Sequence, residues 1–111
     1  MKRIAFIHNS FPKGGAERIT IDIASYLDRF DDYQVYVYAS SVEDDLLTEN
    51  MRKTIILRSI PGQAVPSRRA MAIERHIVED GIDILVQVTK AIPGIDQIRE
   101  RTGIKTIVSC H

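Results

Sequence analysis

Residues 4–18 have the sequence IAFIHNSFPKGGAER. The first four are apolar, as in a buried strand, and the apolar run stops at His8-Asn9. A short polar loop follows, and Gly14-Gly15 then precede a long amphipathic pattern. A strand, a glycine turn and a helix in this order can bind phosphate, because a helix N-terminus offers unpaired N–H groups and the positive end of a dipole. The segment matches neither the dinucleotide pattern G-x-G-x-x-G nor the Walker loop.

Composition excludes several classes of protein. The chain has 111 residues, 44% of them hydrophobic and 27% charged, which is typical of one soluble globular domain. Fifteen basic residues balance fifteen acidic ones, so no overall charge favours nucleic acid. Cys110 is the single cysteine, which excludes an internal disulfide and a cysteine-based metal site. No apolar run approaches the ~18 residues of a membrane span, and the first one is too short for a signal peptide, so we expect a cytoplasmic protein.

The rest of the chain alternates between strand-like and helix-like segments. We predict strands at 2–7, 34–39, 54–57, 82–88 and 104–111, and helices at 15–29, 41–50, 67–80 and 93–101. In the helix at 67–80, Ser67 is the expected cap, Ala70, Ile73 and Ile77 face inward, and Gly81 ends it. This alternation predicts an α/β fold, a Rossmann-like doubly wound parallel sheet of about five strands. The first strand should be central, between the second and the fourth.

In such sheets the ligand lies beyond the carboxyl ends of the strands. His111 ends the last strand there, where an imidazole could contact a hydroxyl or stabilise developing charge, although the sequence is equally compatible with a histidine that merely stands at a truncation point. Asn9, Lys13, Thr89 and Lys90 fall in the loops at the same edge. His8 and His76 fit structural roles better, and the histidines have no metal-ligand spacing, so we predict no metal site.

Three arginines give the helix at 67–80 a basic side: Arg68, Arg69 and Arg75. This side would suit a negatively charged acceptor or a membrane surface. A solvated helix face explains the same pattern, and we favour that interpretation.

Three segments resemble a known family. Phe11–Arg18 with its Gly-Gly-Ala-Glu-Arg stretch, Asp83–Val86, and Ile107–His111 are similar, in this order, to the N-terminal domain of retaining GT-B glycosyltransferases of the family 4 (group 1) type. The resemblance covers essentially the whole chain. It implies the N-terminal, Rossmann-like half of a GT-B fold.

The resemblance also implies roles for residues. Gly14 and Gly15 would lie close to the diphosphate of a nucleotide-sugar donor. His111 would lie near the donor sugar and assist catalysis. Asn9, Lys13, Thr89 and Lys90 would line the acceptor side.

The parent enzyme implied by the family transfers a sugar from UDP-, GDP- or ADP-sugar to an acceptor hydroxyl with retention, as in polysaccharide or lipopolysaccharide biosynthesis. The nucleotide-sugar is a substrate, and neither a cofactor nor a metal is implied. Expected partners are a sugar or lipid-linked acceptor, the C-terminal domain with its E-x7-E motif, and the membrane surface through peripheral contact.

The strand-like segment at 104–111 runs to the last residue. We therefore expect residues 1–111 to be an incomplete N-terminal, acceptor-side domain, inactive alone, with the nucleotide-sugar domain absent. The main alternative is a stand-alone flavodoxin-like domain that binds a phosphate ligand or regulates a partner. An NAD-dependent enzyme half fits less well, because the dinucleotide fingerprint is missing and polar Ser40-Ser41 follow the second strand. A response regulator is disfavoured by His8-Asn9, where paired acidic residues should follow the first strand.

Overall fold

The computed structural model describes residues 2–8, 22–23, 26–27, 29–30, 32–39, 55–61, 66–88 and 92–109. Its elements are, in chain order, β1 (Lys2–Ile7), β2 (Tyr33–Ala39), β3 (Ile55–Ser59), α1 (Pro66–Asp80), β4 (Ile84–Val88), α2 (Ile95–Thr102) and β5 (Lys105–Ser109). Residues 22–23 and 26–27 are also helical, inside the predicted first helix. The predicted helix at 41–50 lies outside the described residues.

The strands form one parallel sheet with the order β3-β2-β1-β4-β5. β1 pairs with β2 on one side and with β4 on the other, with Ile7 opposite Gln87. The chain therefore builds outward from β1 to β3 and then crosses back to place β4 on the free side of β1. This confirms the α/β fold class and the central position of the first strand.

One face of the sheet packs against α1 and α2. Alternate residues of β1 and β4, such as Ala5 and Leu85, join Ile73 and Ile77 of α1 and Ile98 of α2 in a single buried cluster. Every second residue of a strand and every third or fourth residue of a helix lie on the same face. These faces of the strands and helices contact each other in the cluster. The inward positions predicted for α1 are confirmed for Ile73 and Ile77, and Ala70 is partly buried.

The opposite face carries a second cluster, which includes Ile4, Phe6, Val35, Val37 and Val88. Leu27 packs against it from the helical segment near residue 26. Three other apolar side chains of this region, Ile23, Tyr26 and Phe30, are exposed. Among the described residues of this segment, the amphipathic pattern therefore corresponds to partial burial at Leu27 and not at Ile23, Tyr26 and Phe30.

Helix ends follow the glycines closely. Gly81 and Gly103 have φ values of 65° and 70°, in the left-handed region that ends helices, which confirms the predicted stop at Gly81. Gly94, with φ 85°, is the residue before α2. Ser67 was expected to cap α1, but the helix already begins at Pro66, a residue suited to the first helical position because it has no N–H to satisfy.

A hydrogen-bonded cluster fastens the C-terminal end of α1 to β2 and β3. The Tyr38 hydroxyl donates to Oδ2 of Asp80 at 2.8 Å, and Arg58 Nη2 donates to Oδ1 at 3.0 Å. The Asp80 side chain is only 7% exposed, so the two donors compensate a carboxylate that is largely withdrawn from water. Burial and the neighbouring carboxylate raise the pKa of Tyr38, which therefore stays a donor.

Candidate functional site

The carboxyl ends of β1 and β4 lie side by side at the centre of the sheet. Ile7 is opposite Gln87, and the next residues along are His8 and Val88. The strand order reverses between β1 and β4, because the chain moves to opposite sides of β1 before and after α1. Such a reversal is where open parallel sheets bind ligands. We call the region around these two strand ends the switch-point edge.

The candidate residues predicted from the sequence lie outside the described residues: Asn9, Lys13, Gly14, Gly15, Thr89, Lys90 and His111. Their assignments stay predictions. The described neighbours do bear on two of them, since His8 and Val88 immediately precede Asn9 and Thr89 and lie at adjoining strand ends. The two histidines expected to be structural are described: His8 is buried, and His76 lies with its ring 5.4 Å from that of Tyr38.

Arg69 is a buried cation at the switch-point edge. It lies in the first turns of α1, with its residue only 5% exposed, and its Nη2 donates to the carbonyl oxygen of His8 at 3.4 Å. The side chain therefore reaches from α1 to the end of β1. This corrects the expectation that Arg68, Arg69 and Arg75 share a solvated face, because only Arg68 and Arg75 are exposed.

The charge of Arg69 has little local compensation. Its Nε is buried and has no hydrogen-bond partner among the described residues, and the contact with His8 is long for an N–H···O bond. Burial lowers the pKa of this guanidinium, which nevertheless remains protonated at physiological pH. A permanent charge withdrawn from water is costly unless a counter-charge or further hydrogen bonds reach it.

Gln87 is the second buried polar residue that bears on this edge. It is 1% exposed, and its Oε1 accepts a 2.8 Å hydrogen bond from the backbone N–H of Ile92. Ile92 is itself buried against the sheet. The bond ties the chain after residues 89–91 back to β4, so Gln87 fixes the position at which the chain continues after Thr89 and Lys90.

The sequence interpretation missed the roles of Arg69 and Gln87, although both leave a signal. Arg69 precedes Ile73 by four residues and Ile77 by eight, so helical spacing alone puts it on the buried face. Gln87 follows Leu85 by two residues, so both side chains lie on the same face of a strand that is otherwise apolar. In both cases a polar residue at a core position marks a group that needs a partner.

No described helix is both long and apolar enough to cross a membrane. No protein-family model matches the sequence, and no curated protein is significantly similar to it.

Solved structures do match the fold. A glycosyltransferase from Rickettsia africae superposes with a TM-score of 0.69 and 19% identity over 96% of this chain and 29% of its own. MurG from Acinetobacter baumannii superposes with a TM-score of 0.69 and 15% identity, and the match covers 97% of this chain and 34% of MurG. A UGT transferase from Siraitia grosvenorii was solved in complex with UDP. It superposes with a TM-score of 0.65 and 16% identity, and the match covers 97% of this chain and 23% of the transferase.

The chain thus spans about a quarter to a third of the length of these structures. At such identities the match establishes the fold. The neighbours are GT-B glycosyltransferases, and this chain has the Rossmann-like α/β fold of one part of such a protein.

Proposed function

We propose that this chain is the acceptor-side domain of a glycosyltransferase that moves a sugar from a nucleotide-sugar to an acceptor hydroxyl with retention of configuration. In this reaction the bond between the anomeric carbon and the diphosphate breaks, and a bond to the acceptor oxygen forms. The proton of the acceptor hydroxyl passes to the departing diphosphate, and the nucleoside diphosphate leaves. The complete reaction requires the nucleotide-sugar domain, and the isolated chain is expected to be inactive.

The observation that carries the proposal is the structural match. Nearly all of this chain, 96–97%, superposes on part of three glycosyltransferases from different organisms. One of them was solved with UDP, which is consistent with a nucleotide-sugar donor here. Fold alone does not define a reaction, so the more specific part of the proposal rests on the residues to which the sequence resemblance gives roles.

In the proposed enzyme, Gly14 and Gly15 approach the diphosphate and His111 assists transfer at the donor sugar. Negative charge grows on the departing diphosphate while positive charge grows on the sugar ring. Backbone N–H groups near a glycine turn stabilise the first, and hydrogen bonds to sugar hydroxyls orient the second. Asn9, Lys13, Thr89 and Lys90 then contribute to the acceptor side.

The experiment is a donor-dependent assay on the full-length protein that contains this chain. UDP-, GDP- and ADP-sugars are supplied in turn, and release of the nucleoside diphosphate is measured for wild type, Gly15→Asp and His111→Ala. Both variants should lose about tenfold or more in kcat, since Gly15→Asp places a negative side chain beside the diphosphate and His111→Ala removes a contact to the donor sugar. Glu100→Gln, a change on the exposed side of α2, is the matched control.

Proton NMR of the first product formed then reports the configuration at the anomeric carbon. Retention supports the proposal, and inversion contradicts its stereochemical part. Wild-type rates in both site variants would remove Gly15 and His111 from the mechanism. No turnover with any of the three donors would contradict the transferase itself and favour the stand-alone flavodoxin-like domain.

The outer face of α1 supports peripheral membrane contact, consistent with a cytoplasmic enzyme that acts on a lipid-linked acceptor. Met71 and Val78 are 70% and 67% exposed and share this face with Arg68 and Arg75. Apolar side chains flanked by cations suit an anionic bilayer surface. Cosedimentation with anionic vesicles should fall in Met71→Glu/Val78→Glu, whereas equal binding by this variant would exclude α1 as the contact.

A further inference from the structure

The helices α1 and α2 carry opposite charge patterns at their ends. α2 has Asp96 in its first turn and Arg99 and Arg101 in its last, which complements the helix dipole. α1 has no acidic residue in its first turn and no basic residue in its last. Its N-terminal end instead holds Arg68 and Arg69, next to the positive end of the dipole.

Of these two arginines, Arg69 is the one that the fold buries. Its spacing to Ile73 and Ile77 forces the side chain under the helix, toward the end of β1. Within the described part of the chain it has one long hydrogen bond to a carbonyl oxygen and no ion pair. A carbonyl oxygen accepts a hydrogen bond but carries no full negative charge. Among the described residues, nothing therefore compensates the repulsion between the guanidinium and the helix dipole.

A single ligand could interact with both the guanidinium of Arg69 and the N-terminal end of α1. An anion at the N-terminal end of α1 would accept from the free Nε–H and from the unpaired backbone N–H groups of the first turn, and it would neutralise the cation. The guanidinium fork matches the tetrahedral oxygens of a phosphate, which can replace the 3.4 Å contact to His8 at small cost.

We propose that Arg69 and the first turn of α1 bind a phosphate group at the switch-point edge, beside the end of β1. The choice of physiological ligand rests on the proposed function, in which two substrates can supply the phosphate. One is the diphosphate of the nucleotide-sugar, and the other is a phosphate on the acceptor. Arg69 is thus a specificity-determining residue for a phosphorylated substrate.

The test measures binding and stability rather than turnover, so that its outcome is independent of the transferase assay. Inorganic phosphate is titrated into the 15N-labelled protein, and the Nε–H resonance of Arg69 is followed. Arg69→Gln should weaken phosphate binding by about tenfold or more, and Arg69→Lys by less, because lysine keeps the charge and loses the fork. Arg68→Gln, its exposed neighbour on the same helix, should bind within about twofold of wild type.

Thermal unfolding distinguishes a ligand site from a structural arginine. In phosphate-free buffer, Arg69→Met should be at least as stable as wild type, because it removes a buried charge that has no counter-charge among the described residues. Phosphate should then raise the Tm of wild type and not that of Arg69→Met. A structural role predicts the reverse, with Arg69→Met less stable and the phosphate response equal in both proteins, and that result would overturn the proposal.

Binding of UDP and of glycerol 3-phosphate shows which substrate supplies the phosphate group. If UDP binds in an Arg69-dependent manner and displaces phosphate, the site takes the donor diphosphate. If glycerol 3-phosphate binds in that manner and UDP does not compete with it, the site takes a phosphorylated acceptor. Absence of Arg69-dependent binding of phosphate, UDP and glycerol 3-phosphate at millimolar concentrations contradicts the inference even when the full-length protein transfers sugar.

Discussion

The hydroxyl of Tyr38 donates a 2.8 Å hydrogen bond to Oδ2 of Asp80, which joins a buried position of β2 to the last residue of α1. Tyr38 is fully buried. Because α1 also holds Arg69 at its other end, this bond helps to hold the helix in place at the switch-point edge. Arg58 completes the anchor from β3.

Removing this hydrogen bond should destabilise the protein. Tyr38→Phe keeps the ring but leaves Asp80 with one donor fewer, and we expect a loss of about 1–3 kcal/mol in the free energy of unfolding. Urea denaturation measures it. Tyr26→Phe is the control, since this tyrosine is exposed and the change should stay within about 0.5 kcal/mol. Equal effects would mean that the bond to Asp80 contributes nothing.

The Asp80 carboxylate predicts a dependence of stability on pH. Burial by itself raises the pKa of Asp80, but the hydrogen bonds from Arg58 and Tyr38 and the charge of Arg58 outweigh it and lower the pKa. The folded state therefore holds the proton less tightly than the unfolded state. The stabilisation is fully present above the unfolded value of about 3.9 and is lost as the pH falls through the lower folded value.

Comparison of wild type with Asp80→Asn between about pH 6 and pH 2 tests this expectation. The difference in the free energy of unfolding should be largest at the upper end and shrink below about pH 4. Arg58→Gln should reduce the pH-dependent part, because it removes a donor and a charge that lower the pKa. A difference that does not change with pH would contradict the assignment.

Much of the fold can be predicted from local sequence patterns, because contacts with residues far apart in the chain do not change the structure that these patterns favour. The apolar run of β1 and the glycines at 81 and 103 fix element ends, because a strand buried on both faces must be apolar and a left-handed residue favours glycine. Boundaries shift where a pattern is ambiguous: β3 continues to Ser59 although Arg58 and Ser59 are polar.

The misses come from tertiary packing. Ile23, Tyr26 and Phe30 belong to the amphipathic pattern that follows Gly15, but their side chains are exposed. The charge of Arg69 predicts a solvated position, whereas its spacing to Ile73 places it on the buried face of α1. Sequence patterns show which residues share a face, whereas the depth of each position depends on the neighbouring elements.

Gly103 gives a prediction on backbone conformation alone. Its φ is 70°, its N–H donates to the carbonyl of Arg99 at 2.8 Å, and no described atom lies within 4 Å of the position that a Cβ would take. Gly103→Ala should therefore cost about 1–2 kcal/mol through strain rather than collision. Gly103→Asn should cost less, since asparagine tolerates this region. Urea denaturation that ranks alanine as the milder change would refute this explanation.

Gln87 predicts a local effect at the candidate site. Gln87→Leu replaces the side chain by an apolar one of similar size but leaves the buried N–H of Ile92 without its acceptor. We expect a loss of about 1–3 kcal/mol in the free energy of unfolding. The loss should concentrate where the chain leaves β4. We therefore expect the Ile92 amide to exchange with solvent much faster, ahead of the amides of α1 and β1.

Ile84→Val is the matched control, because it lies on the same strand but on the opposite face of the sheet. It should lower global stability by about 0.5–1.5 kcal/mol and speed exchange across the sheet without singling out Ile92. If Gln87→Leu gave this uniform pattern, the glutamine would be an ordinary core residue. Selective exchange at Ile92, together with lower kcat in the full-length protein, would instead identify Gln87 as the residue that positions the loop carrying Thr89 and Lys90.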